Sequence, residues 1–136
     1  MAAERAIAQI DQTIICRGCQ DEIPLETFIQ ALKVCSTCDA HAALGARERL
    51  DLLVDRETFV ENDTDLYSIN PLNFPNYESK LERDTKKTKL PYELLTGEGE
   101  IGGHQVNLAI GDVGFIGGTM GSVAGEKLTR TIERAT

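Results

Sequence analysis

Four cysteines in two pairs constrain this chain more than any other feature of its sequence. Cys16 and Cys19 form one Cys-x-x-Cys pair, and Cys35 and Cys38 form a second pair after fifteen intervening residues. Each pair can form a turn that presents two thiolates on one side, and two such turns complete a tetrahedral cage of four sulfurs. A cage with four protein ligands leaves no open position for substrate. The spacing therefore predicts one structural zinc ion.

The segment between the cysteine pairs supports a zinc ribbon over residues 13–40. Its apolar side chains can form a small layer behind the metal: Ile23, Leu25, Phe28, Ile29, Leu32 and Val34. Since so short a module buries little surface, the metal would supply much of its folding free energy. Disulfides, free thiols and an iron–sulfur cluster are the alternatives to zinc. His41 could replace a ligand, but four thiols suffice and a packing role is the simpler interpretation.

Composition limits the class of protein. The formal net charge of −8 disfavours tight non-specific binding to nucleic acid, which depends on neutralising phosphates. No apolar run approaches the roughly 20 residues that a membrane span needs. Residues 1–12 read as a polar helix or tail without the apolar core of a signal peptide. We therefore expect a soluble chain in a reducing compartment, where cysteines serve as metal ligands.

The middle of the chain connects the ribbon to a second region. Within residues 41–61, apolar spacing predicts a connecting helix from about Ala46 to Asp55, followed by a turn at 57–59. Residues 62–92 read as a linker, rich in Pro and Asn at first and then basic. The basic cluster consists of Lys80, Arg83, Lys86, Lys87 and Lys89. Two interpretations of this cluster stand, a solvated surface helix and a contact with the phosphates of a nucleotide-like cofactor.

The last part of the chain, residues 93–136, has the pattern of a small α/β unit. LLTGEGEI and HQVNLAIGDV read as two strands joined by Gly102-Gly103. A glycine-rich loop with Gly117, Gly118 and Gly121 then leads into a helix over Ser122–Ala135, with an expected buried stripe of Val123, Leu128 and Ile132. Such a strand-to-helix turn is a weak indication of an anion site. Because two strands and one helix cover too little apolar surface, this part reads as the opening of a larger unit.

Several of these motifs together resemble one family. The four-cysteine ribbon is followed by HAALGARERLDLLVDRETFVE, YESKLERDTKKT, LLTGEGEIGGHQV and GDVGFIGGTMGSVAGEKLTRTIE. The chain resembles the amino-terminal half of the beta subunit of the acetyl-CoA carboxylase carboxyltransferase of bacteria and plastids. It departs locally from that pattern at Gly45, where a capping Ser or Thr is common, and at Thr119, which replaces a frequent Ser.

The resemblance implies an α/β (α+β) fold class, in which the zinc ribbon precedes the opening β-β-α part of a crotonase-like spiral. It implies that carboxylate passes from carboxybiotin to acetyl-CoA, giving malonyl-CoA in fatty acid synthesis. The implied partners are a carboxyltransferase alpha subunit, a biotin carboxyl carrier protein and a polypeptide that supplies the rest of the beta subunit. The beta subunit's own oxyanion donors are expected beyond Thr136. The implied compartment is the cytoplasm or the plastid stroma.

Implied site residues follow from the same resemblance. Lys86, Lys87 and Lys89 are candidates to lie near the coenzyme A phosphates. The candidate loop residues near the active-site wall are Gly117, Gly118, Gly121 and Ser122. No residue is an evident general base or nucleophile, so no catalytic residue is predicted. The competing hypotheses are a non-catalytic zinc-ribbon binding or regulatory module, with weak RNA binding by the ribbon, and an unrelated zinc-ribbon adaptor.

Overall fold

A computed structural model of the protein describes residues 12–136. The described residues divide into two compact units, the first ending at Leu44 and the second spanning Gly45–Thr136. The predicted N-terminal helix or tail lies outside the described residues, apart from Gln12. In the described part, no helix has both the length and the apolar character needed to cross a bilayer.

The first unit is built on a short antiparallel hairpin and one helix. Strand β1 (Thr13–Ile15) pairs with β2 (Glu22–Pro24), with Ile14 opposite Ile23. Helix α1 (Leu25–Gln30) follows directly, and Val34 and His41 form an isolated antiparallel bridge. The hairpin brings the first cysteine pair to one end of the unit, and the bridge brings the second pair into a similar turn.

The apolar layer of the first unit is smaller than the sequence predicts. Ile23 and Phe28 are buried beside Cys16 and Cys35. Two predicted members of this layer are wrong, because Ile29 is 52% exposed and Leu32 is 49% exposed. The six residues of α1 present only one face to the hairpin, and that face holds Phe28 alone. Because few of the described side chains of this unit are buried, we expect it to depend on whatever holds its cysteines together.

The second unit contains a three-stranded antiparallel sheet and three helices. Its sheet has the order β3-β4-β5. In chain order the elements are helix α2 (Ala46–Leu53), β3 (Val60–Glu61), α3 (Tyr77–Thr88), β4 (Leu94–Ile101), β5 (His104–Gly111), a 3₁₀ turn (Ile116–Gly118) and α4 (Ser122–Ala135). The sheet contacts both α2 and α4.

The predicted hairpin is confirmed in full. Leu94 lies opposite Gly111 and Ile101 opposite His104, so that Gly102 and Gly103 form the two-residue turn. Both glycines have positive φ, 59° and 77°, as the tight turn of a twisted hairpin requires. Ile110 is buried and Val106 and Leu108 are half-buried, which is the alternation expected of a strand with one covered face.

The prediction for the buried face of α4 is partly wrong. The helix spans the predicted Ser122–Ala135, and Val123 is buried, but Leu128 is only half-buried and Ile132 is 56% exposed. The buried residues are Val123, Ala124, Lys127 and Thr131. The helix is therefore turned so that a lysine and a threonine face the sheet, where they find polar partners that the sequence pattern does not reveal.

The connection between α2 and the sheet also differs from the prediction. Helix α2 ends at Leu53, because Val54 is extended with φ −100° and ψ 141°. The predicted connecting segment 41–61 contains a third strand, β3, which pairs Val60 with Glu98 and Glu61 with Gly97. Residues 62–76 contain no helix or strand, and α3 begins at Tyr77 inside the predicted linker. The basic cluster lies on α3 and, for Lys89, directly after it, with all five side chains exposed, as the interpretation as a surface helix expects.

Candidate functional site

The four cysteine sulfurs converge in the first unit. All four Sγ atoms lie within 4.8 Å of one another, with Cys16 and Cys38 3.7 Å apart and Cys19 and Cys35 also 3.7 Å apart. A tetrahedral zinc with Zn–S bonds of about 2.3 Å places its sulfurs about 3.8 Å apart. A disulfide would need about 2.05 Å. The spacing fits one metal ion in a four-sulfur cage, and all four cysteines are free thiols.

Backbone N–H groups point at two of these sulfurs. Gly18 N–H donates to Cys16 Sγ at 3.3 Å, and Thr37 N–H donates to Cys35 Sγ at 3.4 Å. Hydrogen bonds from the backbone of Cys19 and then of Gly18 lower the pKa of the Cys16 thiol to about 6. Because the thiolate is the form that binds metal, these N–H groups prepare Cys16 for coordination, whereas the neighbouring thiols and burial raise the pKa of Cys19 and of Cys38.

The turn at Gly18 depends on a close approach. A Cβ at this position would lie 2.9 Å from Ala40 Cβ and 3.1 Å from Cys38 Sγ. A side chain there would push the second cysteine turn away from the first. Among the described residues the ligand group comprises only the four cysteines and does not include His41, so the predicted ligand set is also the one that the geometry brings together.

The glycine-rich loop, residues 113–121, joins β5 to α4 in the second unit. Gly117 and Gly118 have positive φ, 68° and 72°, within the 3₁₀ turn, and a Cβ on Gly118 would approach Val113 Cα to 3.3 Å. Gly117, Gly118 and Gly121 are exposed, and so is Ser122 at the start of α4. The predicted loop residues are therefore all accessible to solvent.

Helix α3 lies beside this loop. Asp84 Oδ2 accepts a hydrogen bond from Ile116 N–H at 2.9 Å, and Lys87 Nζ lies 3.8 Å from where a Cβ on Gly114 would stand. Lys86 and Lys89 are exposed on the same segment, and the described contacts place neither against the loop. Of the three predicted lysines, Lys87 is thus the one that the fold brings close to the glycine-rich loop.

Three buried carboxylates around the loop were not among the predicted site residues. Asp84, Glu93 and Asp112 are 3%, 5% and 4% exposed. Each accepts a backbone N–H of residues 113–121. Beside Asp84, Arg83 holds the pKa of that carboxyl below its usual range, and the Ile116 N–H acts in the same direction. One sequence signal could have identified Glu93 and Asp112 as site residues, because each lies beside an apolar strand.

Comparison with known proteins shows which class of protein the chain is similar to. No model of a known protein family matches the chain. Two solved structures of transcarboxylase 12S match it with a TM-score of 0.52 and 29% identity, covering 67% of this chain and 16% of theirs. One of them holds methylmalonyl-coenzyme A and methylmalonic acid, and the other holds hydrolysed methylmalonyl-coenzyme A. This likeness confirms the predicted fold class, and the chain is homologous to carboxyltransferases.

One relative gives a more specific similarity than the solved structures do. Over 120 residues, or 88% of its length, the chain is 42% identical to the acetyl-coenzyme A carboxylase carboxyl transferase subunit beta of Desulforamulus reducens. The chain is therefore homologous to this beta subunit, as its motifs predict. It spans 42% of the length of that relative.

Proposed function

We propose that the chain forms part of the carboxyltransferase component of acetyl-CoA carboxylase. In this proposal the assembled enzyme transfers carboxylate from carboxybiotin to acetyl-CoA and so provides malonyl-CoA for fatty acid synthesis. The observation that carries the proposal is the 42% identity over 120 residues to the beta subunit. The carboxyltransferase fold of the structural relatives supports the same reaction class.

The proposed chemistry places few demands on the described residues. Carboxylation of the acetyl methyl group passes through an enolate, which needs preorganised N–H donors near the thioester oxygen. We assign those donors to the rest of the beta subunit and to an alpha subunit. Carboxybiotin, after releasing carbon dioxide, supplies the base, and no residue of this chain is assigned a catalytic role.

We assign a structural zinc ion to Cys16, Cys19, Cys35 and Cys38. Four thiolates with sulfur separations of 3.7 Å fit tetrahedral zinc and leave no coordination position for substrate. The metal would then hold the ribbon folded without taking part in carboxyl transfer. Among the described residues of this unit, the apolar side chains buried beside the cysteines are Ile23 and Phe28, a small number that supports that dependence.

We assign the coenzyme A side of the site to the loop and the basic helix. Lys86, Lys87 and Lys89 would face the phosphates, and the wall near the acyl group would contain Gly117, Gly118, Gly121 and Ser122. Two described contacts support this grouping, the Asp84–Ile116 hydrogen bond and the approach of Lys87 to Gly114. The last turn of α3 is basic, which favours anions at that end of the segment.

The proposed partners are an alpha-type carboxyltransferase subunit, a biotin carboxyl carrier protein and the remainder of a beta-type subunit, on this or another polypeptide. The proposed location is the cytoplasm or the plastid stroma. A zinc-ribbon module without catalysis, with weak RNA binding, is the competing function. The two functions predict different companions for the protein in the cell.

Purification of the tagged protein from its native cells tests the proposal. We expect it to recover an alpha-type subunit and a biotin carrier, and the recovered complex to convert acetyl-CoA to malonyl-CoA when supplied with carboxybiotin. Single substitutions of Lys86, Lys87 or Lys89 by Ala should raise the KM for acetyl-CoA more than they lower kcat. Recovery with RNA alone, and no carboxyl transfer, would support the competing function.

A further inference from the structure

Three buried carboxylates accept hydrogen bonds from backbone N–H groups of the glycine-rich loop. Asp112 Oδ1 accepts from Gly114 N–H at 2.8 Å, and Glu93 Oε1 accepts from Gly121 N–H at 2.8 Å. Asp84 Oδ2 accepts from Ile116 N–H at 2.9 Å. These contacts are spread along the loop, with one near its start, one in its 3₁₀ turn and one at its end. Each is a charge-assisted bond, stronger than a bond between neutral groups.

The three carboxylates differ in the other hydrogen bonds that their oxygens accept. The two oxygens of Asp84 also accept from Arg83, at 2.7 and 3.1 Å. The second oxygen of Asp112 accepts from Ala46 N–H at 2.8 Å, which caps helix α2. In the part of the chain that the structure describes, the second oxygen of Glu93 is buried without a hydrogen-bond partner.

Of the three, Glu93 makes the fewest described hydrogen bonds. The Coulombic attraction of the buried Lys127 ammonium offsets part of the free-energy cost of its unpartnered oxygen, and the one hydrogen bond described for Glu93 is at its other oxygen. Its one bond is to Gly121, the residue that precedes α4. A Cβ on Gly121 would lie 2.9 Å from Glu93 Oε1, so the loop end is shaped to let this oxygen approach.

We propose that Glu93, with Asp84 and Asp112, is a positioning residue that fixes the glycine-rich loop as a preformed wall for the acyl-coenzyme A substrate. This inference rests on the function proposed above and assigns it further residues. Three backbone N–H groups of the loop are already taken by these carboxylates. The loop therefore meets its ligand as a rigid surface, and those N–H groups are not the anion site that a glycine-rich turn suggests.

The test uses the assembled complex and three substitutions of one residue. Glu93→Asp keeps the charge but is one methylene too short to reach Gly121, whereas Glu93→Gln keeps an oxygen at the right distance. Glu93→Ala removes the acceptor. The matched control is Glu82→Gln, an exposed carboxyl on α3. For each variant we would measure amide hydrogen exchange over residues 113–122 and, separately, KM for acetyl-CoA and kcat.

We expect exchange at Gly121 to become roughly tenfold faster in Glu93→Asp and Glu93→Ala, with Glu93→Gln close to the wild type. The KM for acetyl-CoA should rise in the same two variants and recover in Glu93→Gln, while Glu82→Gln changes neither quantity. If Glu93→Ala does not fold, the Asp and Gln variants still give the comparison.

Two results would overturn the inference. One is unchanged exchange at Gly121 in Glu93→Asp. The other is faster exchange with unchanged KM and kcat, which would leave Glu93 a purely structural role. A wild-type complex that transfers no carboxylate would instead refute the proposed function, and the exchange rates would then still decide whether Glu93 holds the loop.

Discussion

Lys127 Nζ lies 3.3 Å from the centroid of the Tyr92 ring, and this lysine is fully buried. The ammonium also donates to the backbone carbonyls of Asp63 at 3.3 Å and Asn62 at 3.5 Å. Tyr92 in turn donates its hydroxyl to Glu61. Burial lowers the pKa of Lys127, although four nearby carboxylates oppose that change. One side chain of α4 thus joins the helix to the residues just after β3 and to a residue just before β4.

Removal of this lysine should destabilise the second unit. We expect Lys127→Ala to lower the free energy of unfolding by about 2–4 kcal/mol, because it leaves a cavity and two carbonyls short of a donor. Lys127→Met, which keeps most of the stem, should cost less. Urea unfolding monitored by circular dichroism measures both, with exposed Lys80→Ala as the control. Equal stability of Lys127→Ala and Lys80→Ala would contradict this account.

A second ionic contact should make stability depend on acid. Arg134 donates two hydrogen bonds to the Asp63 carboxylate, both at 2.7 Å, and Arg130 donates a third at 3.2 Å. Hydrogen bonds from Arg134, followed by those from Arg130, hold the pKa of Asp63 below its ordinary value. The unfolded chain, with Asp at about 4, therefore takes up this proton first as the pH falls.

The stabilisation from Asp63 is accordingly present above about pH 4 and lost as the pH falls through the lowered pKa of the folded state. We expect Asp63→Asn to be less stable than the wild type at pH 7, with the difference shrinking below pH 4. Unfolding by urea at a series of pH values measures it, with exposed Asp65→Asn as the control. A difference that stays constant down to about pH 2 would show that the charge is not responsible.

The pairing of β3 with β4 depends on a glycine. A Cβ on Gly97 would lie 2.4 Å from Val60 O and 2.5 Å from the Phe59 ring. We expect Gly97→Ala to cost about 2–4 kcal/mol, because backbone must move to admit the methyl group. Gly111→Ala is the matched control in the same sheet, since a Cβ there meets nothing closer than Glu93 O at 4.0 Å. Thermal unfolding of the two variants measures the difference in stability. Equal stability of Gly97→Ala and Gly111→Ala would contradict the prediction.

Removal of the proposed zinc ion should unfold only the ribbon. We expect chelation to abolish hydrogen-exchange protection in residues 13–41 while β4 and β5 stay protected, because the second unit has its own core of seven buried residues. Cys35→Ser should have the same effect and lower the zinc content, with exposed Ser36→Ala as the control. The measurements are metal analysis and exchange by mass spectrometry. Unchanged protection of the ribbon after verified loss of metal would contradict the structural role.

The features that the sequence predicts correctly depend on local patterns. The cysteine spacing specifies which four sulfurs meet, and the Gly102-Gly103 pair specifies the β4–β5 hairpin. The bounds of α4 follow from the glycine-rich loop before it and its helical composition. In the hairpin, in α4 and within each cysteine pair, the decisive residues lie within a few positions of one another, so local backbone preferences favour these features.

The features that the sequence misses are long-range. Gly45 lacks the capping side chain that a Ser or Thr would supply, and Asp112, 66 residues from Ala46, accepts the Ala46 N–H at the start of α2. The apolar spacing of α4 predicts that Ile132 is buried, but the helix buries Lys127 instead. The Tyr92 ring and two backbone carbonyls contact the Lys127 ammonium at that position. The three carboxylates that hold the glycine-rich loop are also long-range features, because only their hydrogen bonds to loop N–H groups identify them.

The sequence alone determined which four cysteines meet, the hairpin, the last helix and the resemblance to a carboxyltransferase subunit. Only the tertiary structure decided which face of α4 is buried, which lysine approaches the loop and which carboxylates hold it. The physical reason is that apolar periodicity reports how a segment prefers to bury itself. The position of a buried charge is set instead by partners that the fold brings from elsewhere in the chain.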